Sequence, residues 1–258
     1  MDTSAAALRV VVTAGGAGIG LAIATTFAAA GARVFVCDVD RDALGALRAA
    51  HPGIGSARAD VAAPAEVAAL FEAADAFLGG LDVLVNNAGV AGPTARVEDV
   101  SVADWDRTLA VDLSGMFYCT RLAVPRLKAA GGGSIINLSS IGGRLGYPLR
   151  APYAAAKWGV VGFTKSLAIE LGPANVRVNA IQPGVVEGDR VDRVIAARAA
   201  ARGVAVEEAR RQFLAPISLG RPVRAQDIAN MALFLASPAG ASISGQALSV
   251  CGDHGYLA

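Results

Sequence analysis

Short runs rich in β-branched residues alternate along the chain with alanine-rich stretches, and this alternation constrains the fold more than any other feature. RVVVT at 9–13 and RVFVC at 33–37 are short and almost wholly apolar, so they read as strands buried on both faces. Further strands are expected at 56–59, 81–85, 134–138, 176–181 and 248–250. Helical stretches lie between them, at 19–30, 42–50, 64–78, 105–128 and 152–170. Gly31 ends the first of these, and Pro64 and Pro152 open two others. Ser101 and Asp104 resemble a capping box before 105–128. Apolar strands separated by helices predict an α/β fold, with a parallel sheet covered on both faces. A chain of 258 residues fits a single domain of this kind, and no repeat or linker divides it. The segment 184–221 reads as irregular, is charged, and is long enough to form a lid over a site.

Composition removes several function classes. Hydrophobic residues make up 54% of the chain, yet no run reaches the roughly 18 to 20 consecutive apolar residues of a membrane span. The opening MDTSAAALRVVVTAGG has no basic region before its apolar part, so it does not read as a secretory signal. A net charge of +1 and the lack of a basic run point to neither nucleic acid nor membrane as a partner. Cys37, Cys119 and Cys251 are odd in number and lie far apart, which predicts a reducing cytoplasm rather than a disulfide framework. The two histidines, His51 and His254, cannot supply a metal cluster or a Ser-His-Asp set.

Two local patterns carry chemistry. TAGGAGIG, residues 13–20, follows the first strand and opens the first helix. Such a turn brings backbone N–H groups and the positive end of a helix to a phosphate. It also fits a tight strand–helix turn with no ligand, and the strict GxGxxG spacing is absent. Asp38 closes the second strand, where an acidic side chain accepts from the ribose 2′-hydroxyl of NAD and repels the 2′-phosphate of NADP.

The second pattern is Tyr153 and Lys157, which stand at i and i+4 on one face of a helix opened by Pro152. Free tyrosine, with a pKa of about 10, is a poor base at pH 7. A cation about 4 Å away favours the phenolate by ~4 kcal/mol at an effective dielectric near 20. That shifts a tyrosine toward the range where general acid–base catalysis works. Ser140 closes a strand, where α/β sheets place their ligands, and its hydroxyl can hydrogen-bond a substrate oxygen. A YxxxK pair alone equally fits a solvated helix face.

Taken in order, TAGGAGIG, Asn86-Asn87-Ala88-Gly89, Ser140, Tyr153 with Lys157, and Pro183-Gly184 resemble the short-chain dehydrogenase/reductase family over nearly the whole chain. The resemblance implies one Rossmann-like domain with a seven-stranded parallel sheet and helices on both faces, usually in a homotetramer. It implies that Tyr153 is the acid/base, that Lys157 lowers its pKa and binds the nicotinamide ribose, and that Ser140 orients the substrate. The cofactor would be held by Ala14, Ala17, Gly18 and Ile19 at the turn, by Asp38, by Asp60 and Val61 at the adenine, and by Asn87, Ala88 and Gly89. Pro183, Gly184 and Val186 would complete its site, with Val186 at the carboxamide. The segment 242–257 looks like the family's subunit contact.

The chain departs from the family pattern at four positions. Ala14 stands in place of a glycine, Asp112 in place of the asparagine of the catalytic proton relay, Ala156 in place of a frequent serine and Gly188 in place of a threonine. A carboxylate at 112 lacks amide donors. Arg144, Tyr147 and Arg150 lie between Ser140 and Tyr153, and Arg190 and Arg193 lie in the expected lid. Guanidinium groups pair with carboxylates, so a small anionic or polar hydroxy compound is the expected substrate, a hydroxy acid or sugar derivative. Surface ion pairs are the other use of these arginines, and Ile141, Leu145 and Leu149 fit an apolar alcohol. An NAD-dependent alcohol/ketone oxidoreductase is the leading reading. A non-catalytic NAD-binding regulator, and an epimerase or dehydratase using the same tyrosine, stay open.

Overall fold

The computed structural model describes residues 7–256. Among them, seven strands form one parallel sheet in the order β3-β2-β1-β4-β5-β6-β7. They are β1 (Arg9–Thr13), β2 (Arg33–Asp38), β3 (Gly55–Arg58), β4 (Val83–Asn86), β5 (Gly133–Leu138), β6 (Val176–Pro183) and β7 (Ala247–Val250). Helices α1 (Gly18–Ala29), α2 (Arg41–Ala50), α3 (Pro64–Leu78), α4 (Val102–Leu109), α5 (Gly115–Ala129), α6 (Ala151–Leu171), α7 (Asp189–Arg202), α8 (Val206–Leu214) and α9 (Ala225–Ala236) connect or flank them. The chain runs outward from β1 to β3, then returns to lay β4 on the other side of β1. Ligands of open α/β sheets bind beyond the carboxyl ends of the strands at such a reversal.

Period-two alternation distributes each strand between two cores. Val10 and Val12 face a layer holding Ile23 and Phe27 of α1 and Ile228 and Leu235 of α9. Val11 faces the opposite layer, with Leu70 and Phe71 of α3 and Cys119 and Leu127 of α5. Each such side chain, once fully buried, stabilises by about 1.5–3 kcal/mol. Both faces of the strands being covered is why they read as unbroken apolar runs.

Three departures from the sequence reading matter for the site. The helix expected over 105–128 is interrupted: α4 ends at Leu109, residues Ala110–Ser114 form a π-turn, and α5 follows. The segment 184–221 is not irregular, since it contains α7 and α8, which bury Ile195, Ala199 and Ala209 between them. Helix α9 has no counterpart in the strand and helix pattern, yet its Ile228, Ala229, Ala232 and Leu235 are fully buried in the α1 layer.

Candidate active site

The turn after β1 is tightly built. Ala14 adopts φ +50°, a left-handed conformation that costs a residue with a Cβ on the order of 1 kcal/mol. A Cβ on Gly20 would lie 2.0 Å from the Ala14 carbonyl oxygen, so α1 approaches the turn more closely than any side chain permits. Ala17 caps α1 with no side-chain oxygen, and the first turn carries no acidic residue. The N–H groups of Gly18 and Ile19 and the positive helix end are therefore left for an external anion. A Cβ on Gly18 would meet nothing within 4 Å, so the approach is open. These features fit the diphosphate of a dinucleotide.

Asp38 stands beside this turn, half-buried. Its Oδ2 accepts from Gly16 N–H at 3.0 Å and its Oδ1 from Asp40 N–H at 3.1 Å. Further along the same edge, Asp60 accepts from Ala62 N–H at 2.9 Å and from Arg107 at 3.0 Å. Burial raises the Asp60 carboxyl, but these donors outweigh it and hold the group below the usual carboxylate range. Val61 is buried, its side chain packed against Gly115.

Thr13 locks the end of β4 to the end of β1. Its hydroxyl accepts from the N–H groups of Asn87 at 2.9 Å and Ala88 at 3.0 Å, and the Asn87 amide donates to the carbonyls of Thr13 and Ala14 at 3.0 Å each. Asn86 points the other way, into the core. Its amide donates to Thr120 at 3.1 Å and to Asn137 at 2.9 Å, and Asn137 donates to Thr164 at 2.9 Å. This polar seam ties β4, β5, α5 and α6 together beneath the reactive groups.

Ser140, Tyr153 and Lys157 come together above the end of β5. The Ser140 hydroxyl accepts from Gly142 N–H at 3.0 Å, which leaves its own proton to donate. A Cβ on Gly142 would lie 3.2 Å from the Tyr153 ring, 3.3 Å from the Tyr147 ring and 3.5 Å from the Ser140 hydroxyl. These three groups thus surround one point, where a side chain would fit only tightly. The Tyr147 and Tyr153 rings meet edge to face, 6.3 Å between centroids. Lys157 is buried, with Nζ donating to the Leu138 carbonyl at 3.1 Å and lying 5.6 Å from the Tyr153 ring centre. Ser139 holds the helix from below by donating to the Lys157 carbonyl at 2.8 Å.

The π-turn places Asp112 against Lys157. Asp112 is fully buried, and its Oδ1 accepts from Val90 N–H at 2.6 Å. Its Oδ2 lies 3.4 Å from Lys157 Nζ, an ion pair longer than a good hydrogen bond, with no other partner among the described residues. Burial pushes the Asp112 carboxyl upward, against the pull of Lys157, Val90 N–H and Arg150.

The two arginines of the intervening loop separate. Arg144 turns to the C-terminal segment, donating to Ser249 at 3.3 Å and to the His254 carbonyl at 3.1 Å. Those bonds hold it against the C-terminal segment. The Arg150 guanidinium carbon lies 5.4 Å from the Tyr153 ring centre and 5.3 Å from that of Tyr147. It donates to the Ala91 carbonyl at 2.5 Å and to Thr94 at 3.4 Å. Its Nε is buried with no hydrogen-bond partner among the described residues. The side chains of Arg190 and Arg193, and residue 257 of the C-terminal segment, lie outside the described residues.

Pro183 closes β6 and Gly184 follows it, while Val185 and Val186 pair with Val223. A Cβ on Gly184 would lie 2.7 Å from the Cys251 backbone. Gly188 adopts φ +134°, so the backbone itself excludes a threonine there without strain. Sequence reasoning does not reach Thr13, Ser139 or the Leu138 carbonyl. Only Thr13 carries a signal, a lone hydroxyl ending an otherwise apolar strand.

A family model described as Enoyl-(Acyl carrier protein) reductase matches residues 13–256. The chain is 39% identical over 247 residues to trans-4-hydroxycyclohexanecarboxylate dehydrogenase of Sinomonas cyclohexanicum, covering 92% of this chain and 88% of that one. It is 36% identical over 258 residues to D-beta-hydroxybutyrate dehydrogenase of Rhizobium meliloti (strain 1021), covering 96% and 98%. Among solved structures, a single-residue variant of actinorhodin polyketide ketoreductase with NADPH matches with a TM-score of 0.89 at 35% identity over 99% of both chains. With that sheet order, turn and Ser-Tyr-Lys cluster, the chain belongs to the short-chain dehydrogenase/reductase family. It is an oxidoreductase of the alcohol/ketone type that uses a nicotinamide cofactor.

Proposed function

We propose that the chain is an NAD-dependent dehydrogenase of a small hydroxy acid. Arg150 carries this reading. A half-buried guanidinium stands beside the tyrosine with no carboxylate in ion-pair range among the described residues, donating only to a hydroxyl and a carbonyl. A carboxylate two or three bonds from the reacting carbon suits it. Two relatives named above act on hydroxy acids. For the cofactor, the Asp38 carboxylate at the turn favours the ribose hydroxyls of NAD and repels a 2′-phosphate.

When bound, the nicotinamide exchanges hydride with the substrate carbon. Ser140 donates to the substrate oxygen, and Tyr153 takes the hydroxyl proton in oxidation or returns it in reduction. Lys157 favours the phenolate and keeps a donor for the cofactor ribose. Asp60, Val61 and Asn87 to Gly89 line the cofactor groove, with Pro183, Gly184 and Val186 at its nicotinamide end. Helices α7 and α8 form the substrate lid. The half-exposed Phe117 and Trp158 on α5 and α6 suit subunit contacts, and we read the assembly as a cytoplasmic homotetramer.

Initial rates test this at alkaline pH, with NAD and NADP, on 3-hydroxybutyrate, 4-hydroxycyclohexanecarboxylate and their methyl esters. NAD and the free acids are expected to be preferred. Arg150→Gln should raise KM for the acids about 10- to 100-fold, the worth of one charged hydrogen bond, and leave the esters alone. Equal kcat/KM for acids and esters would overturn the acid reading, and a preference for NADP would overturn the Asp38 argument.

A further inference from the structure

The segment joining Ser140 to α6 ends in a turn that its own sequence does not favour. Tyr147, Pro148, Leu149 and Arg150 reverse the chain, with the Tyr147 carbonyl accepting from Arg150 N–H at 3.3 Å. Pro148 suits the second position of such a turn, and a positive φ at the third position calls for glycine or asparagine. Leu149 stands there instead, at φ +62°. Among the described non-glycine residues with positive φ, it alone carries a branched apolar side chain. It is 50% exposed, so burial in the core does not account for the strain.

The neighbours of the turn show what the strain achieves. The Leu149 carbonyl accepts from Ala95 N–H at 3.0 Å, in the loop after β4. The same loop takes the Arg150 guanidinium at the Ala91 carbonyl and the Thr94 hydroxyl. Arg150 then opens α6, its own carbonyl accepting from Ala154 N–H at 2.9 Å. Between these anchors its guanidinium carbon lies 5.3 Å from the Tyr147 ring centre and 5.4 Å from that of Tyr153. A right-handed or extended Leu149 would turn its carbonyl away from Ala95 and re-aim the residue that follows. We propose that Leu149 is a positioning residue whose left-handed backbone, rather than its side chain, aims Arg150 at the reaction centre. This role rests on the proposed function, in which Arg150 meets the substrate carboxylate. It puts acid recognition under the control of one backbone angle outside the Ser-Tyr-Lys cluster.

Two substitutions in the full chain separate backbone from side chain. Leu149→Gly deletes the side chain and adopts the turn freely, whereas Leu149→Val keeps an apolar side chain whose β-branching opposes a positive φ. The readout is kcat/KM with NAD for 3-hydroxybutyrate over its methyl ester. Leu149→Gly should hold this ratio within about twofold. Leu149→Val should lower it about tenfold, through KM of the acid alone, because the competent orientation of Arg150 falls to about a tenth. A loss in Leu149→Gly with Leu149→Val normal would assign the role to the side chain and overturn the proposal. An equal loss for acid and ester in Leu149→Val, or no loss there, would overturn it too. Leu149→Thr, β-branched and polar, stands in if the valine variant fails to fold. Melting supplies a second readout that needs no substrate. Arg150→Gln should lower the melting temperature by about 2–4 °C in the wild type, through its lost ring contacts, and by less than about half as much beside Leu149→Val. Equal falls in both backgrounds would mean that the turn does not place Arg150. If Arg150→Gln leaves the acid-over-ester ratio unmoved, the hydroxy-acid reading fails, and the melting comparison still decides the role of Leu149.

Discussion

Asn137→Ala should be among the most damaging single changes outside the reactive cluster. Asn137 is fully buried in the middle of β5. It accepts from the Asn86 amide at 2.9 Å and donates to Thr164 at 2.9 Å. The variant leaves Asn86 with only Thr120 and leaves the Thr164 hydroxyl without its donor. Each buried polar group left unpaired costs about 1–3 kcal/mol, and the lost side-chain volume adds a cavity term. A water filling the space would recover part of this, so a loss of about 3–4 kcal/mol is expected. At roughly 2–4 °C per kcal/mol for a chain of this size, the melting temperature should fall by about 10 °C. Thr164→Val removes only the far partner and should cost less than half as much. Urea unfolding followed by circular dichroism, at one protein concentration, reads the difference. A loss below about 1 kcal/mol for Asn137→Ala would refute the argument that the seam binds the two strands to the two helices.

Two further changes probe the turn and the amino ends of the central strands β1 and β4. Gly20→Ala would place its methyl 2.0 Å from the Ala14 oxygen and 2.6 Å from the Asn87 amide, forcing the turn open. NADH affinity, read by fluorescence titration, should fall at least about tenfold, or 1.4 kcal/mol, and unchanged binding would contradict the turn's role. Asp82 pairs with Arg9 at 2.8 Å; burial raises its carboxyl, but the Arg9 hydrogen bonds and charge outweigh it and hold the group below its unfolded value. That stability is present above the unfolded pKa of about 3.9 and is lost as pH falls through the lower folded value. Asp82→Asn should therefore cost about 1 kcal/mol at neutral pH and nothing in strong acid, where a constant difference across pH would contradict the assignment.

Much of the architecture is legible because it is written in local periodicity. Strands β1 and β2 stand out because both of their faces are buried. Helix α6 is bounded by Pro152 at its start. Helices α7 and α8 escape the pattern for a physical reason: they pack on each other through only a few apolar residues, and two of the three buried ones, Ala199 and Ala209, are alanines. Helix α9 escapes it because its alanines bury as well as leucines do yet mark no stripe. Arg144 and Arg150 look alike along the chain, and only their partners tell them apart.

The order of residues alone suffices for the layered α/β fold, the turn after β1, and the placing of Tyr153 and Lys157 on one helix face. Each of these follows from backbone geometry over a few residues. Three features needed the assembled fold: the helix expected over 105–128 yields at a π-turn, Asp112 meets Lys157 there, and Arg150 stacks on the tyrosines while Arg144 does not. These depend on contacts between residues far apart in sequence, where burial and charge outweigh local propensity.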